Sequence, residues 1–226
     1  MAHSEVAARY RDVMDRVDRA ARAAGRDPAA LVTIVVTKFH PAELVRELAD
    51  LGHRDFGESR HQEARRKAAD LDGLGLAWHF IGQLQSNKAR AVREYASSIH
   101  SLDRDSLLTA LATDGDPIDV FIEVNLTDDP GRGGVAPESL AAFADRVLAT
   151  PGVRLRGLMA VAGLGRSARS EFARVRELRD RVVLPRAPDA TALSMGMSGD
   201  FEDAILEGAT HLRIGTAITG NRPDRA

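Results

Sequence analysis

Cysteine is absent from the 226 residues, which removes disulfides, thiolate metal ligands and thiol nucleophiles at once. Such a chain must hold by packing, and a reducing cytoplasm is its expected compartment. Also missing is any apolar run approaching the roughly 20 residues of a membrane span. The N-terminal stretch MAHSEVAARYRDVMDRV alternates charges where a signal peptide would be apolar, so a soluble, unprocessed chain is expected. Neither sign of charge dominates, with 31 Lys and Arg against 33 Asp and Glu. No net field would draw the chain to nucleic acid or an anionic membrane, which leaves a compact metabolite as the expected partner.

What is present is alternation. Val6, Tyr10, Val13, Met14 and Val17 recur at helical spacing, with Ser4 as N-cap and Gly25 as stop, and predict an amphipathic helix over 4–24. LVTIVVTK follows, a β-branched run apolar on both faces, as a buried parallel strand requires. From there short strands and helices alternate. Strands are expected at 31–37, 53–56, 78–81, 98–101, 119–125, 154–161, 192–194 and 211–214. Helices are expected at 41–51, 59–71, 86–95, 104–113, 137–150, 167–183 and 201–207, and the C-terminal unit is reduced to a turn or two. Eight strands joined by right-handed crossovers can close, so the expected fold is α/β: a single (β/α)8 TIM-type barrel over 1–226 with an extra N-terminal helix and no second domain.

Barrels of this kind gather reactive groups at the C-terminal strand ends, with a phosphate site often formed by the loops after the seventh and eighth strands. Lys38 ends the first strand in parity with Val32, Ile34 and Val36, so its side chain is expected to point inward above apolar residues. A desolvated amine is a better nucleophile toward an aldehyde; the plainer reading is a lysine snorkelling to water. SMGMSGD offers Ser198 between Gly196 and Gly199, and RIGTA offers Gly215 and Thr216; both loops suit one anion, although Ser198 also reads as a helix N-cap. Arg213 would enter the barrel mouth, either toward an aromatic ring nitrogen or into an internal salt bridge with Glu123. His79 and Asn125 read as site groups or as satisfied core polars. LQSNKARAVRE reads as a solvated helix or as an anion contact through Asn87 and Lys88.

VVTKFHP, DFGESR, WHFIGQLQSNKAR, IHSLDR, VFIEVNL, GLMAV and LSMGMSGDFEDAILEGATHLRIGTAITG, in one colinear order to Gly220, resemble the YggS-like pyridoxal phosphate homeostasis protein family. The resemblance implies a barrel similar to the N-terminal domain of alanine racemase and pyridoxal 5′-phosphate carried as a Schiff base on Lys38. It further implies phosphate contacts from Ser198, Gly215 and Thr216, a pyridine-nitrogen contact from Arg213, and weaker contacts from Ser59 and His79. Two positions depart from the family. FGES replaces FGEN, putting Ser59 where an amide is usual, and Thr219 stands where an aromatic residue is common.

The alternative is an amino-acid racemase or another enzyme using the same cofactor. Racemisation by two bases needs a second acid/base, which racemases of the resembling fold take as a tyrosine from an added domain; the two tyrosines here, Tyr10 and Tyr95, fall on expected helices. An Arg213 contact would also leave the ring nitrogen an acceptor and weaken the cofactor as an electron sink. The expectation is a cytoplasmic carrier without fast turnover, monomer or weak dimer, whose partners are pyridoxal phosphate and apo-enzymes that depend on it. A pure interaction or signalling protein is a third class that the sequence leaves open.

Overall fold

The computed structural model describes residues 4–222 apart from 128, 130 and 164. Among these, strands β1 (Val32–Val36), β2 (Asp55–Glu58), β3 (Ala77–Phe80), β4 (Ser98–Leu102), β5 (Ile118–Glu123), β6 (Val153–Met159), β7 (Ala192–Ser194) and β8 (His211–Ile214) pair in parallel in chain order. β8 returns to β1 through the pairs Val32 with His211 and Ile34 with Arg213, and the barrel is closed. The helices are α1 (Glu5–Ala23), α2 (Ala42–Asp50), α3 (His61–Asp70), α4 (Ala89–Arg93), α5 (Asp105–Leu111), α6 (Leu140–Leu148), α7 (Ala168–Leu178), α8 (Phe201–Leu206) and the single turn α9 (Thr216–Thr219). No described helix is long and apolar enough to cross a membrane.

Capping chemistry sets several ends. Ser4 accepts the Ala7 N–H at the start of α1. Asp27 and Pro28 open a 3-10 turn over Pro28–Ala30 that the sequence reading does not anticipate. The helix expected over 167–183 divides into α7 and a π turn, Arg179–Val183, in which the Leu184 N–H donates to the Arg179 carbonyl. α1 packs against α2, α8 and α9, filling the gap that the short α9 leaves in the outer ring.

Two regions of packing divide the strands. Outward residues such as Val35, Phe56, Trp78, Phe80, Ile99, Val120, Leu193 and Leu212 join the helices in one continuous apolar core. Inside the barrel the apolar cluster is small, Phe121, Met159 and Ala192 with Val161 against it. Beside it lie the buried polar residues His79, Ser98, His100, Ser194 and Arg213. The expected apolar interior is therefore corrected to a largely polar one, with Ile34 and Val36 buried on the β1 side. At the β6–β7 contact Gly157 is obligatory: its φ is 153°, and a Cβ would stand 1.8 Å from the Ala192 carbonyl oxygen.

Candidate functional site

Lys38 lies beyond the end of β1, in a turn, and is exposed. This corrects the expectation of an inward, desolvated lysine: β1 ends at Val36, so strand parity no longer governs position 38. The backbone on both sides of it is clamped. Lys67, buried on α3, donates to the Thr37 carbonyl at 2.7 Å, to Glu58 Oε1 at 2.6 Å and to Glu63 Oε1 at 2.9 Å. Thr37 Oγ1 donates to Glu58 Oε1 at 2.8 Å, and the Phe39 N–H donates to Glu63 Oε1 at 2.6 Å. Phe39 is held at φ 70°, uncommon for a residue with a bulky side chain. Arg60 and Arg222 flank its ring at 4.7 and 3.9 Å from the centroid. Burial raises the Glu58 carboxyl above its ordinary value against the pull of Lys67, and Glu58 Oε2 is buried with no hydrogen-bond partner among the described residues.

The loops after β7 and β8 meet beside this turn. Ser198 Oγ accepts from the Gly215 and Ala217 N–H groups at 3.3 Å each and from Thr216 Oγ1 at 3.4 Å. All three bonds are long, so one hydroxyl is a poor match for donors that converge on it. The N-cap alternative for Ser198 does not hold, since α8 is capped at Asp200 and Ser198 faces the β8 loop. Gly196 allows that loop its course: at φ 92°, a Cβ there would sit 2.6 Å from the Ala204 Cβ. Gly215 leaves β8 next to β1, where an added Cβ would lie 3.5 Å from the Val36 Cβ. The Lys38 turn and the Ser198–Thr216 cradle thus spring from neighbouring strands.

Arg213 is 4% exposed and donates to Ser194 Oγ at 2.7 Å and to the Ala160 carbonyl at 2.9 Å. Burial brings its guanidinium down to about 10, so it stays charged at neutral pH. Glu123, at the C-terminal end of β5, interacts with it through charge; burial and Asp103 push that carboxyl up to about 7 against Arg213 and Arg132.

The remaining sequence candidates lie elsewhere. Both ring nitrogens of His79 are engaged inside the barrel, one with Asp55 Oδ1 at 3.0 Å and one with Ser98 Oγ at 2.7 Å, which favours the core reading. Ser59 lines a cavity on the β2–β4 side with Arg60, Gln83, Gln85, Lys88 and Asp103. Asn125 organises its own loop, donating to the Asp129 and Arg132 carbonyls and accepting from Thr127. Thr219 is buried in α9. Glu58, Glu63 and Lys67 escaped the sequence reading, although the Glu63–Lys67 spacing of i,i+4 was a visible sign of a pair.

Residues 12–223 match the alanine racemase N-terminal domain. A Pseudomonas aeruginosa pyridoxal phosphate homeostasis protein is 44% identical across 97% of this chain and 96% of its own length. The chain belongs to the pyridoxal phosphate homeostasis protein family. The Escherichia coli K12 member is 37% identical, with 97% of each chain covered. PipY of Synechococcus elongatus, in its structure with PLP bound, superposes with a TM-score of 0.78 at 37% identity, over 90% of this chain and 99% of that one. Alanine racemase from Corynebacterium glutamicum shares the fold at a TM-score of 0.72 and 15% identity, and this chain spans 61% of it. The family's barrel is thus present from β1 to β8, with Lys38, Ser198, Arg213, Gly215 and Thr216 grouped on the neighbouring strand ends of β1, β7 and β8.

Proposed function

We propose that this chain binds pyridoxal 5′-phosphate through Lys38 and serves cytoplasmic homeostasis of that cofactor, holding it and releasing it to apo-enzymes. The observation that carries the reading is the meeting, on three adjacent strands, of an exposed primary amine, a cluster of converging N–H and O–H donors and a buried guanidinium. That donor set fits the cofactor: the long bonds to Ser198 Oγ leave the Gly215, Thr216 and Ala217 donors under-used, as a phosphate would require. When bound, the cofactor supplies an aldehyde that condenses with a primary amine, and Lys38 supplies the amine. Lys67, Glu58 and Glu63 fix the backbone at positions 37 and 39, so the amine is presented from a rigid turn to open solvent. Arg213 stays protonated below its shifted value of about 10 and offers N–H groups to an acceptor in the mouth.

Carriage rather than turnover is favoured by what the tyrosines do. Tyr10 Oη is bonded to His53 at 3.2 Å and Tyr95 Oη to His61 at 3.4 Å, so each hydroxyl is already engaged with a histidine. The test mixes holoprotein with an apo-enzyme that needs pyridoxal phosphate, and assays L- and D-amino acids for racemisation, decarboxylation and transamination. Recovery of enzyme activity faster than release into buffer, without amino-acid turnover near ~1 to 10³ per second, is expected. Turnover in that range would overturn the carrier reading.

The phosphate cradle gives a separate expectation. Each hydroxyl bond to a charged group is worth about 1.5 to 3 kcal/mol, so Ser198→Ala or Thr216→Val weakens cofactor binding roughly ten- to a hundredfold. Equal affinity of the wild type for pyridoxal and its phosphate, measured by titration, would reject the cradle.

A further inference from the structure

A line of hydrogen bonds crosses the barrel interior from the mouth to the opposite rim. Arg213 Nη1 meets Ser194 Oγ at 2.7 Å, Ser194 Oγ meets His100 Nδ1 at 2.8 Å, and His100 Nε2 meets Ser98 Oγ at 2.9 Å. Ser98 Oγ then meets His79 Nδ1 at 2.7 Å, and His79 Nε2 meets Asp55 Oδ1 at 3.0 Å. Ser194 and His100 are fully buried, whereas the Asp55 side chain, at the N-terminal end of β2, is 35% exposed. The six residues come from β2, β3, β4, β7 and β8, so the line spans the barrel rather than following one strand.

Its two ends fix its direction. A guanidinium only donates, so Ser194 Oγ accepts from Arg213 and has its one hydrogen left for His100 Nδ1. A carboxylate only accepts, so His79 Nε2 carries a hydrogen toward Asp55, which leaves Nδ1 as the ring position that can accept from Ser98. His100 must then donate from Nε2 to Ser98, with His79 Nδ1 a second acceptor at 3.2 Å. Assignments begun at either end agree. Reversing the middle would give Ser194 two incoming donors and a buried hydrogen with no acceptor among the described residues, at the full cost of an unmade bond. A neutral His100 suits the site: burial, with the Arg213 charge acting in the same direction, holds it well below its usual value.

We propose that this one-way relay positions and electrostatically supports Arg213 for its contact with the cofactor ring nitrogen, with His100 as the central positioning residue. The proposal rests on the pyridoxal phosphate reading and deepens it. Ser194, with its hydrogen committed to His100, is a fixed acceptor for Nη1, and the Ala160 carbonyl fixes Nη2; the remaining N–H groups of Arg213 are then aimed by the barrel rather than by the ligand. The Asp55 carboxylate, held below its usual value by His79 despite burial, terminates the line with negative charge. The His100 ring also stacks on Phe121 at 4.2 Å between centroids, which keeps the imidazole in the plane that both bonds need.

The test has two arms. In the ¹⁵N-labelled protein without added cofactor, long-range ¹H–¹⁵N correlations should show His79 and His100 neutral and both protonated at Nε2. A Nδ1–H tautomer at His100, or a charged imidazole at either position at neutral pH, overturns the relay whether or not the protein binds any cofactor. In the second arm His100→Phe, which preserves the stacking partner for Phe121, is compared with wild type for binding of pyridoxal phosphate and of its 1-deaza analogue. His100→Phe should bind pyridoxal phosphate about three- to tenfold more weakly and shift the absorption maximum of the bound chromophore, while the analogue, lacking the ring nitrogen, binds wild type and variant alike. His100→Gln, which keeps a donor and an acceptor, should restore part of the loss. Equal losses for cofactor and analogue, with an unmoved spectrum, would reduce the line to packing and overturn the proposal; absence of any chromophore in wild type would instead reject the Lys38 reading and leave the tautomer result standing.

Discussion

Lys38→Ala is expected to abolish borohydride-reducible attachment of pyridoxal phosphate and to leave the fold intact. The chain contains three lysines, Lys38, Lys67 and Lys88. Lys67 directs its ammonium to the Thr37 carbonyl, Glu58 and Glu63 inside a buried cluster, so forming an imine there would strip charge from the group that holds two carboxylates. Lys88 stands in the β2–β4 cavity, apart from the Ser198–Thr216 cradle. Lys38 is exposed, so its replacement by alanine is expected to move stability by no more than about 0.5 kcal/mol. Peptide mapping of reduced wild type should place the label on Lys38; a label on Lys67 or Lys88 sinks the assignment.

Lys67→Met should destabilise the protein by about 3 to 5 kcal/mol, because it leaves Glu58 buried at 1% exposure with its partner gone. In a domain of this size that loss lowers Tm on the order of 10 °C. Pairing it with Glu58→Gln should recover part of the loss, since the stranded charge goes too. Denaturant unfolding of the single and double variants measures both, and a single-variant loss below about 1 kcal/mol would show that the clamp on the Lys38 turn is dispensable.

The order of elements was legible because parallel strands buried on one side by helices carry β-branched and aromatic runs, bounded by Gly or polar turns. β7 and β8 were read to the residue, where Gly196 and Gly215 lie just beyond their ends. β2 was placed at 53–56 and runs over Asp55–Glu58. Both its ends are polar because Asp55 pairs with His79 and buried Glu58 pairs with Lys67, and an apolar run cannot announce such partners. Lys38, Ser198, Arg213, Gly215 and Thr216 were proposed because barrels put chemistry at strand ends, and the structure groups them on β1, β7 and β8. The surroundings of Lys38 were misread for the same reason that Lys67 was overlooked: its environment is made by α3, some 30 residues away in the chain, through bonds that no local period encodes. The polar interior was equally hidden, since His79, Ser98 and His100 look like surface residues until barrel closure faces them toward Ser194 and Arg213.

The helix that opens the chain is bound to the one that nearly ends it. Arg9 on α1 donates to the Ile218 carbonyl on α9, and Arg16 pairs with Glu202 on α8 at 2.7 Å. A chain emerging from the ribosome therefore exposes the amine of Lys38 long before β7 and β8 join β1, and α1 must wait for α8 and α9 before its apolar stripe is fully covered. On the proposed reading the ring-nitrogen and phosphate contacts would come from residues 198–216, so an incomplete chain would carry a lysine with nothing to select the cofactor over any other aldehyde. On that reading, selectivity for the cofactor arises only with closure of β8 on β1.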